Sequence, residues 1–364
     1  MISVDRLHLR DFRSYEELDL EFAPGLTVVV GENGNGKTNL VEAIGFLARL
    51  RSFRGAPNEA LVRRGASEAI IRGDITCGER PVQIEAALPL SGRMRVQVNK
   101  QRLVRRVDMA EYLTVTVFSP DDLEIVKGGP GLRRDFLDDL LSDLHPKNEV
   151  ATSDFAKALR QRNALLKQMA GRRDEASELT LDVWDLRLCE LGERVAVLRS
   201  KTLAQLEPMV VEAYSELSAR RGHAHSVQLR YGSTWFEGGL SGALAEARTA
   251  DIRRGVSTVG PHRDDVELYI DAMPARTHAS QGEQRSLVLA LRLAAHRLVT
   301  VARGQAPVLL LDDVFSELDT HRSAALLATL PQGQKILTSV GDVPPQATVE
   351  SQLTIVDSTV RVSR

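Results

Sequence analysis

Gly31-Glu32-Asn33-Gly34-Asn35-Gly36-Lys37-Thr38 is the stretch that decides the fold, and it matches the phosphate-loop pattern G-x-x-x-x-G-K-[ST] at every defined position. The apolar run Leu26–Val30 precedes this stretch, and the helical pattern Asn39–Leu50 follows it. A strand–loop–helix order lets successive backbone N–H groups surround a polyphosphate, and the positive end of the helix points at the same anion. The sequence therefore predicts a site for ATP or a similar nucleoside triphosphate.

The loop residues have separate predicted roles. Lys37 would reach the β- and γ-phosphates, and the hydroxyl of Thr38 would ligate Mg²⁺. A glycine-rich turn before an ordinary helix is the alternative, and the flanking strand and helix disfavour it. The predicted ATP-binding residues are Gly31, Glu32, Asn33, Gly34, Asn35, Gly36, Lys37, Thr38 and Asn39.

A second apolar strand, Val308–Leu311, runs directly into the carboxylates of Asp312 and Asp313. A buried parallel strand delivers its last residues to the crevice where phosphates bind. Asp312 is therefore predicted to hold Mg²⁺, directly or through water, and Asp313 to orient or deprotonate the attacking water. An acidic turn after a strand is common and by itself does not indicate a catalytic site. The phosphate loop earlier in the chain favours the catalytic interpretation here.

Ser280-Gln281-Gly282-Glu283-Gln284-Arg285 stands before the apolar helix pattern Leu287–Val301. A small hydroxyl residue and a glycine at a helix N-terminus can form a second anion site. An ordinary N-cap is the alternative. The position of this segment just ahead of Asp312 favours the anion site.

Composition excludes some classes of protein. The 364 residues are 43% apolar and 26% charged, which is ordinary for a globular protein with a real core. Cys77 and Cys189 lie far apart, so two reduced thiols in a cytoplasmic protein are expected. There is no apolar run long enough to span a membrane, and the N-terminus does not have the layout of a signal peptide.

Basic residues cluster at 49–64 and at 91–107, while acidic residues concentrate in the middle of the chain, although the net charge is only −2. This asymmetry points to a polyanion partner, and a solvated basic face is the alternative. Aromatic residues make up only 4%, so contacts with the DNA backbone are favoured over stacking on bases. The candidate DNA-binding residues are Arg51, Arg54, Arg93, Arg95, Lys100, Arg102, Arg105 and Arg106.

Hydrophobic patterns predict an α/β protein. Short alternating runs at 69–76, 82–88 and 94–98 indicate an antiparallel sheet, and helical patterns dominate from about 121 to 225. Pro208 is predicted to kink or end the longest helix, which would extend about 45 Å. We expect an ATPase domain made of residues 1–120 and 258–364, with a helical arm domain, 121–257, inserted into it. The apolar seam of the long helix consists of Trp184, Leu188, Leu191, Val195, Leu198 and Thr202.

These motifs together resemble the ABC-type ATPases in their chromosome-associated, SMC-like branch, where Ser316-Glu317-Leu318-Asp319 also fits the pattern. Within that branch, essentially the whole chain is similar to a family of bacterial recombination mediators. The segments that carry this closer resemblance are 9–15, 51–54, 118–123, 128–138, 161–167 and 260–265.

The resemblance implies an ABC-type head, with a phosphate-loop sheet and an antiparallel β flap. It also implies that residues 280–285 contact the γ-phosphate of ATP bound to a second subunit in a head-to-tail homodimer. Residues 316–319 would line the same interface. The implied activity is a slow, DNA-stimulated ATPase that clamps gapped, junction or duplex DNA and acts with RecO, RecR and RecA.

Two departures from the general ABC pattern stand out. The catalytic carboxylate is Asp313, one methylene shorter than the usual Glu, which favours slow turnover. Thr338-Ser339 replaces the usual switch histidine, and no glutamine after Phe118 can be assigned as a Q-loop.

Two rival functions are the motor subunit of a membrane transporter and a chromosome-condensing protein. The basic segment and the short arm argue against them.

Overall fold

The computed structural model describes residues 1–169, 171, 174–218, 225–341, 347–356 and 358–363. Contacts divide the chain into two compact units that are discontinuous in sequence. The first unit contains Met1–Leu123, Glu212–Ala224 and Arg285–Arg364, and the second contains Glu124–Val211 and His225–Gln284. Two of the boundaries between the units follow residues 123 and 284. The sequence instead places the domain boundaries at 120 and 257, and these two boundaries stay a prediction.

The strands and the α-helices of the described residues are numbered separately in chain order. The strands are β1 Ile2–Phe12, β2 Tyr15–Glu21, β3 Leu26–Val30, β4 Glu68–Cys77, β5 Arg80–Pro89, β6 Arg95–Val98, β7 Gln101–Arg102, β8 Val115–Phe118, β9 Val227–Gly232, β10 Asp265–Ile270, β11 Met273–Pro274, β12 Val308–Leu311, β13 Lys335–Ser339, β14 Ser351–Val356 and β15 Thr359–Ser363. The α-helices are α1 Lys37–Arg49, α2 Glu124–Lys127, α3 Pro130–Leu144, α4 Pro146–Met169, α5 Glu175–Ser218, α6 Leu240–Arg254, α7 Ala275–His278, α8 Gln281–Arg303 and α9 Thr320–Thr329.

A six-stranded sheet of the first unit has the order β15-β14-β3-β13-β12-β8. Its strands are parallel except for β15, which pairs with β14 in the antiparallel sense. The four residues of β12 are fully buried, as expected for a parallel strand covered on both faces. Strand β13 lies between β3 and β12, so the carboxyl ends of all three strands meet at one edge.

A second sheet of the first unit is antiparallel, with the order β2-β1-β4-β5-β6-β7. The predicted flap of three strands is therefore present, and the N-terminal hairpin of β1 and β2 extends it. Alternation explains this placement, because Val4, Leu7 and Leu9 are buried along β1 while Arg10 and Asp5 are exposed. Side chains of both sheets and of α1 form one continuous hydrophobic core.

The helices of the second unit surround two smaller apolar clusters. Trp184 packs against the larger cluster, as its place on the apolar seam predicts. The sequence predicts that Pro208 kinks or ends the long helix, and the helix does not end there, because α5 is 44 residues long and contains Pro208 in its interior. That length corresponds to about 66 Å. Leu206 and Val210 are fully buried on either side of Pro208, and their packing keeps the helix continuous.

The second unit also contains helix α6 and a small antiparallel sheet. Helix α6 lies beyond residues 121–225, to which the sequence assigns helical patterns. A three-stranded antiparallel sheet has the order β11-β10-β9. The sequence Gly171-Arg172-Arg173-Asp174 predicts a turn that ends the helix before it, and residues 172 and 173 lie outside the described residues. Among the helices that the structure describes, none is long and apolar enough to cross a membrane.

Buried ion pairs of the second unit include residues from each of the segments 128–138, 161–167 and 260–265. Arg162 is fully buried and donates to Asp185 at 2.6 Å and to Asp251 at 2.7 Å. Arg133 donates to both carboxylate oxygens of Asp265, at 2.8 and 2.9 Å. These pairs account structurally for residues that carry the family resemblance.

Candidate nucleotide-binding site

The phosphate loop leaves the carboxyl end of β3 and enters α1. Gly34 and Gly36 have φ angles of 88° and 105°, which glycine adopts without steric cost. A Cβ atom on Gly36 would lie 3.0 Å from Tyr15 Oη and from Ser14 Oγ. The loop therefore needs glycine at position 36 both for its backbone conformation and for this close approach.

Lys37 is buried at the first turn of α1, with 5% of its surface exposed. Its Nζ donates to the carbonyl oxygens of Gly31 at 2.5 Å and Glu32 at 2.8 Å, so its charge is held inside the loop. Burial lowers the pKa of Lys37, and the negative charges of Asp313 and Asp312 oppose that shift. The ammonium group is thus placed where a polyphosphate inside the loop would meet it.

A hydroxyl–carboxylate cluster lies at the shared edge of β3, β13 and β12. Thr38 Oγ1 donates to Asp312 Oδ1 at 3.0 Å, and Thr338 Oγ1 donates to the same oxygen at 2.9 Å. Burial raises the pKa of Asp312, and the hydrogen bonds from Thr338 and Thr38 oppose this shift. One carboxylate and one hydroxyl suit Mg²⁺, which binds few protein ligands and keeps waters and phosphate oxygens. The donor set therefore fits the predicted metal.

Asp313 follows in the left-handed conformation, with φ 48° and ψ 29°. Its backbone N–H donates to Thr338 Oγ1 at 2.9 Å, which fixes the turn. A non-glycine residue in this region stores conformational strain, and such residues concentrate at functional sites. Thr338, which replaces the expected histidine, thus holds both acidic residues.

The turn between β1 and β2 supports the loop and α1 from one side. Tyr15 Oη donates to the carbonyl of Gly36 at 3.0 Å. Asn39 Nδ2 donates to Ser14 Oγ at 3.0 Å. These contacts place the predicted residue Asn39 in the support of the helix start.

Residues 280–284 belong to the second unit and form the start of α8. Ser280 and Glu283 form a capping box, in which Ser280 N–H donates to Glu283 Oε2 at 2.7 Å and Glu283 N–H donates to Ser280 Oγ at 3.3 Å. Gln284 is buried and donates to the carbonyl of Ala275 at 3.0 Å. Ser280 and Gln281 are exposed, so this helix terminus is open to an anion from solvent.

The predicted interface loop, 316–319, belongs to the first unit and ends at the N-cap of α9. Ser316 Oγ donates to the carbonyl of Asp313 at 2.8 Å. The carboxylate of Asp319 accepts from the backbone N–H and the guanidinium of Arg322, at 2.8 and 2.9 Å. Leu318 and Arg285 line one apolar pocket of the first unit. The loop thus has a defined conformation next to the acidic pair.

The basic residues proposed to contact DNA have different surroundings in the structure. Arg95 pairs with Glu68, and Arg105 donates to Asp108 at 2.9 Å. Arg106 donates to the carbonyl of Arg49 at 3.1 Å. In the described part of the chain, no ion pair is formed by Arg93, Lys100 and Arg102, which are exposed on and around the β6–β7 hairpin. Arg51 and Arg54 are also exposed. Burial raises the pKa of Asp312, and the positive charge of Arg54 opposes that rise.

Two residues of the site were missed by sequence reasoning as contributors. Thr338 was noted only as a substitute for histidine, although its position at the end of a predicted strand adjoining the site was the available signal. Glu42 is a fully buried carboxylate of α1. A glutamate one turn after Thr38 on an apolar helix face was the signal that pointed to it.

The fold and the loop geometry define an ABC-type ATPase head of the SMC-like class. A family model of the RecF/RecN/SMC N-terminal domain matches residues 3–341. The DNA replication and repair protein RecF of Acidothermus cellulolyticus is 38% identical over 372 residues, which cover 99% of each chain. A solved structure of the recombination mediator RecF with ATP has a TM-score of 0.91 at 28% identity, covering 100% of this chain and 98% of the other.

The chain therefore belongs to the RecF family of DNA replication and repair proteins. An Smc head domain from Pyrococcus furiosus has the same fold, with a TM-score of 0.59 at 19% identity over 100% of this chain and 96% of the other. The predicted fold class and the resemblance to recombination mediators are confirmed. The roles of the individual site residues stay predictions.

Proposed function

We propose that this protein is an ATP-gated DNA clamp of recombinational repair. Two copies bind two ATP molecules head to tail, close a basic surface around gapped, junction or duplex DNA, and separate after slow hydrolysis. The observation that carries the proposal is the convergence of Lys37, Thr38, Asp312 and Asp313 at one end of the parallel sheet. RecF membership leaves the transporter reading without support.

The ATP site assigns a task to each group. The phosphate loop and Lys37 hold the β- and γ-phosphates, and Thr38 with Asp312 would hold Mg²⁺, which neutralises charge on the phosphates. Asp313 lies beside Asp312 and can orient the attacking water or accept its proton. A shorter carboxylate in a strained turn reaches that water less closely than a glutamate, which supports slow turnover.

Dimerisation is supported by the exposed start of α8. Its capping box satisfies the helix terminus while Ser280 and Gln281 remain accessible to solvent. A γ-phosphate from a second subunit would meet the Ser280 hydroxyl and the positive end of a 23-residue helix there. The loop 316–319 would face the same partner. Each ATP would thus contact both copies.

DNA binding is supported by exposed cations on the antiparallel sheet. Arg93, Lys100 and Arg102 can contact phosphates without first breaking an ion pair, and such contacts are independent of base sequence. In the RecF family, this activity would support loading of RecA with RecO and RecR. DNA would then stimulate hydrolysis by stabilising the closed dimer.

The test is DNA affinity at fixed salt without nucleotide, with ATP and with ADP, for the natural chain and Ser280→Arg. Light scattering on the same samples reports dimerisation. We expect ATP alone to raise both the affinity and the mass. Ser280→Arg should abolish both effects while still binding ATP, because the added side chain fills the partner's phosphate position.

Ser241→Arg is the matched control, since Ser241 is an exposed residue at the start of α6. It should leave the dimer and DNA binding unchanged. If DNA binds equally well in every nucleotide state, ATP is not the gate and the clamp mechanism is wrong. Compaction of long DNA by the protein alone would instead favour the chromosome-condensing alternative.

A further inference from the structure

The segment 260–265, Gly-Pro-His-Arg-Asp-Asp, carries part of the family resemblance, and the proposed function gives it no role. It lies in the second unit, at the end of the connection between α6 and β10. We call this connection, residues 255–264, the α6–β10 loop. Its backbone is held by buried groups, and two arginines at the loop are bonded only to peptide carbonyls. These two properties together describe a binding site.

Buried donors fix the conformation of the α6–β10 loop. Arg199 Nη1 donates to the carbonyl of Pro261 at 2.7 Å. The carboxylate of Asp264, a residue that is 4% exposed, accepts from Trp235 Nε1 at 2.9 Å and from Tyr231 Oη at 2.6 Å. Because both the backbone and this buried carboxylate are hydrogen-bonded, the other side chains of the loop are presented from a rigid support.

Arg263 is the first of the two cations, and its side chain is exposed. Its Nη2 donates to the carbonyl of Ser257 at 3.0 Å, and His262 Nε2 lies 3.0 Å from the same carbonyl oxygen. Burial lowers the pKa of His262 to about 4, and the charges of Arg263 and Arg134 act in the same direction. The imidazole is therefore neutral near pH 7, so the arginines supply the positive charge at this loop.

Arg134 of α3 is the second cation, and it is only partly exposed. Its Nη1 donates to the carbonyl of Asp264 at 2.6 Å. Burial lowers the pKa of Arg134, and the positive charge of Arg199 acts in the same direction. In the part of the chain that the structure describes, neither Arg134 nor Arg263 forms an ion pair. A peptide carbonyl satisfies one N–H group but does not neutralise the guanidinium.

The buried arginines of the second unit differ from these two in their partners. Each of the three that the structure describes is bound to a carboxylate: Arg133 to Asp265, Arg162 to Asp251 and Arg199 to Asp138. Asp135, whose charge also acts on Arg134, is exposed to solvent. Withdrawing a charge from water without an opposite charge beside it is unfavourable. The fold alone therefore does not account for the position of Arg134.

We propose that Arg134 and Arg263 form an anion site, and that the anions it binds are phosphate groups of the DNA backbone. A guanidinium presents several N–H groups in a plane that matches phosphate oxygens, and each of the two uses one N–H on a carbonyl. A polyanion satisfies two cations at once, which favours DNA over a single small anion. The inference rests on the proposed DNA clamp, to which it adds a contact in the second unit.

DNA affinity across a range of salt concentrations tests this site. A gapped duplex is titrated in the presence of ATP against the natural chain, Arg134→Gln, Arg263→Gln and the double variant. We expect each single change to weaken binding about three- to tenfold near 0.1 M salt, and the double variant to lower the slope of log affinity against log salt by about 2. The matched control changes Arg253 and Arg254, two exposed residues at the end of α6, to glutamine and should keep the natural slope.

Folding stability gives a readout that a purely structural role would move in the opposite direction. Glutamine at position 134 keeps an N–H donor for the carbonyl of Asp264 and removes the uncompensated charge. The urea midpoint of Arg134→Gln should therefore equal or exceed that of the natural chain, although its DNA affinity is lower. A lower midpoint would show that Arg134 supports the fold, and the inference would be wrong.

Chemical modification locates the contact without any substitution. Phenylglyoxal reacts with exposed guanidinium groups, and peptide mass spectrometry follows each arginine separately. DNA should slow the modification of Arg263 and leave that of Arg253 unchanged. Equal rates with and without DNA at Arg263 would contradict a phosphate contact there.

The outcomes separate this inference from the proposed function. If the natural chain binds no DNA in any nucleotide state, the proposed function fails. If it binds DNA but the double variant keeps the natural slope, the clamp stands and the α6–β10 loop is not a DNA contact. If the double variant instead loses the ATP-dependent rise in mass, the anion is a nucleotide phosphate and the assignment to DNA is wrong. Should Arg134→Gln not fold, Arg263→Gln decides in the same way, because its side chain is exposed.

Discussion

The nucleotide site and the basic β6–β7 hairpin hold their charged side chains in opposite ways. At the nucleotide site, Lys37 and Asp312 are buried and each is fixed by hydrogen bonds at 3.0 Å or less. On the hairpin, Lys100 and Arg102 are exposed. Buried charges act strongly at one position, whereas exposed charges act weakly and through their number. Single substitutions should therefore have large, salt-insensitive effects at the first region and small, salt-sensitive effects at the second.

The largest effect is expected for Asp312→Asn. The carboxylate would lose its charge beside Thr38, so we expect kcat for ATP to fall on the order of a hundred- to a thousandfold. Steady-state hydrolysis at saturating Mg²⁺ and ATP measures this. Asp19→Asn, an exposed carboxylate of the same unit, should stay within about twofold. Comparable losses in both variants would mean that burial does not set the size of the effect.

Asp313→Asn should give the next largest effect and should separate binding from chemistry. The amide can still accept a hydrogen bond from water but cannot take its proton, so we expect kcat to fall about a hundredfold. ATP affinity and ATP-dependent DNA binding should persist, because Lys37 and Thr38 are untouched. Single-turnover hydrolysis and nucleotide titration check the two halves. Loss of ATP binding in this variant would contradict the assigned role.

The contrast between buried and exposed titratable groups can also be tested through folding stability at His296. This residue is buried in the core of the first unit, with 1% of its surface exposed. Burial, reinforced by the charges of Lys335 and Arg297, lowers its pKa to about 4. Below about pH 6.5 the unfolded state binds a proton that the folded state does not, so stability is lost as pH falls towards 4. The whole contribution is about 3 kcal/mol.

Urea unfolding of the natural chain and His296→Gln between pH 7 and 4 measures this contribution. The glutamine variant should be less stable than the natural chain at neutral pH. It should also lose less stability on acidification, because the slope of its unfolding free energy against pH is smaller by up to one bound proton. His278→Gln, at an exposed position, is the matched control and should follow the natural chain. Parallel curves for all three proteins would show that the buried imidazole does not set the pH dependence.

Local patterns predicted the features whose partners are near in sequence. The phosphate loop, the strand before Asp312 and the alternating strands of the flap depend on spacing within a few residues, so one sequence is sufficient to find them. Helix α6 was missed because its buried positions Leu240, Leu244 and Ile252 are few and separated by small and charged residues. The long helix does not end at Pro208, because tertiary packing can outweigh a local rule.

The rest of the site depends on partners that are distant in sequence. Thr338 reaches Asp312 only because β13 lies between β3 and β12, and strand order cannot be read from spacing. The buried carboxylate of Glu42 accepts hydrogen bonds from Arg13 and Ser52, which come from two other segments. For the same reason, sequence reasoning predicted the same DNA-binding role for Arg95 and Lys100. Of these two residues, only Arg95 is paired, with Glu68 of β4.

The smallest single effects are expected on the hairpin. Each of Arg93→Ala, Lys100→Ala and Arg102→Ala should weaken DNA binding only about two- to threefold near 0.1 M salt, because an exposed cation releases about one counterion. The triple variant should lower the slope of log affinity against log salt by about 2 to 3. The matched control changes three exposed basic residues of α5, Arg187, Arg194 and Lys201. If the control reduces the slope as much as the hairpin variant does, DNA is not bound at the hairpin, and the contrast between the two regions fails there.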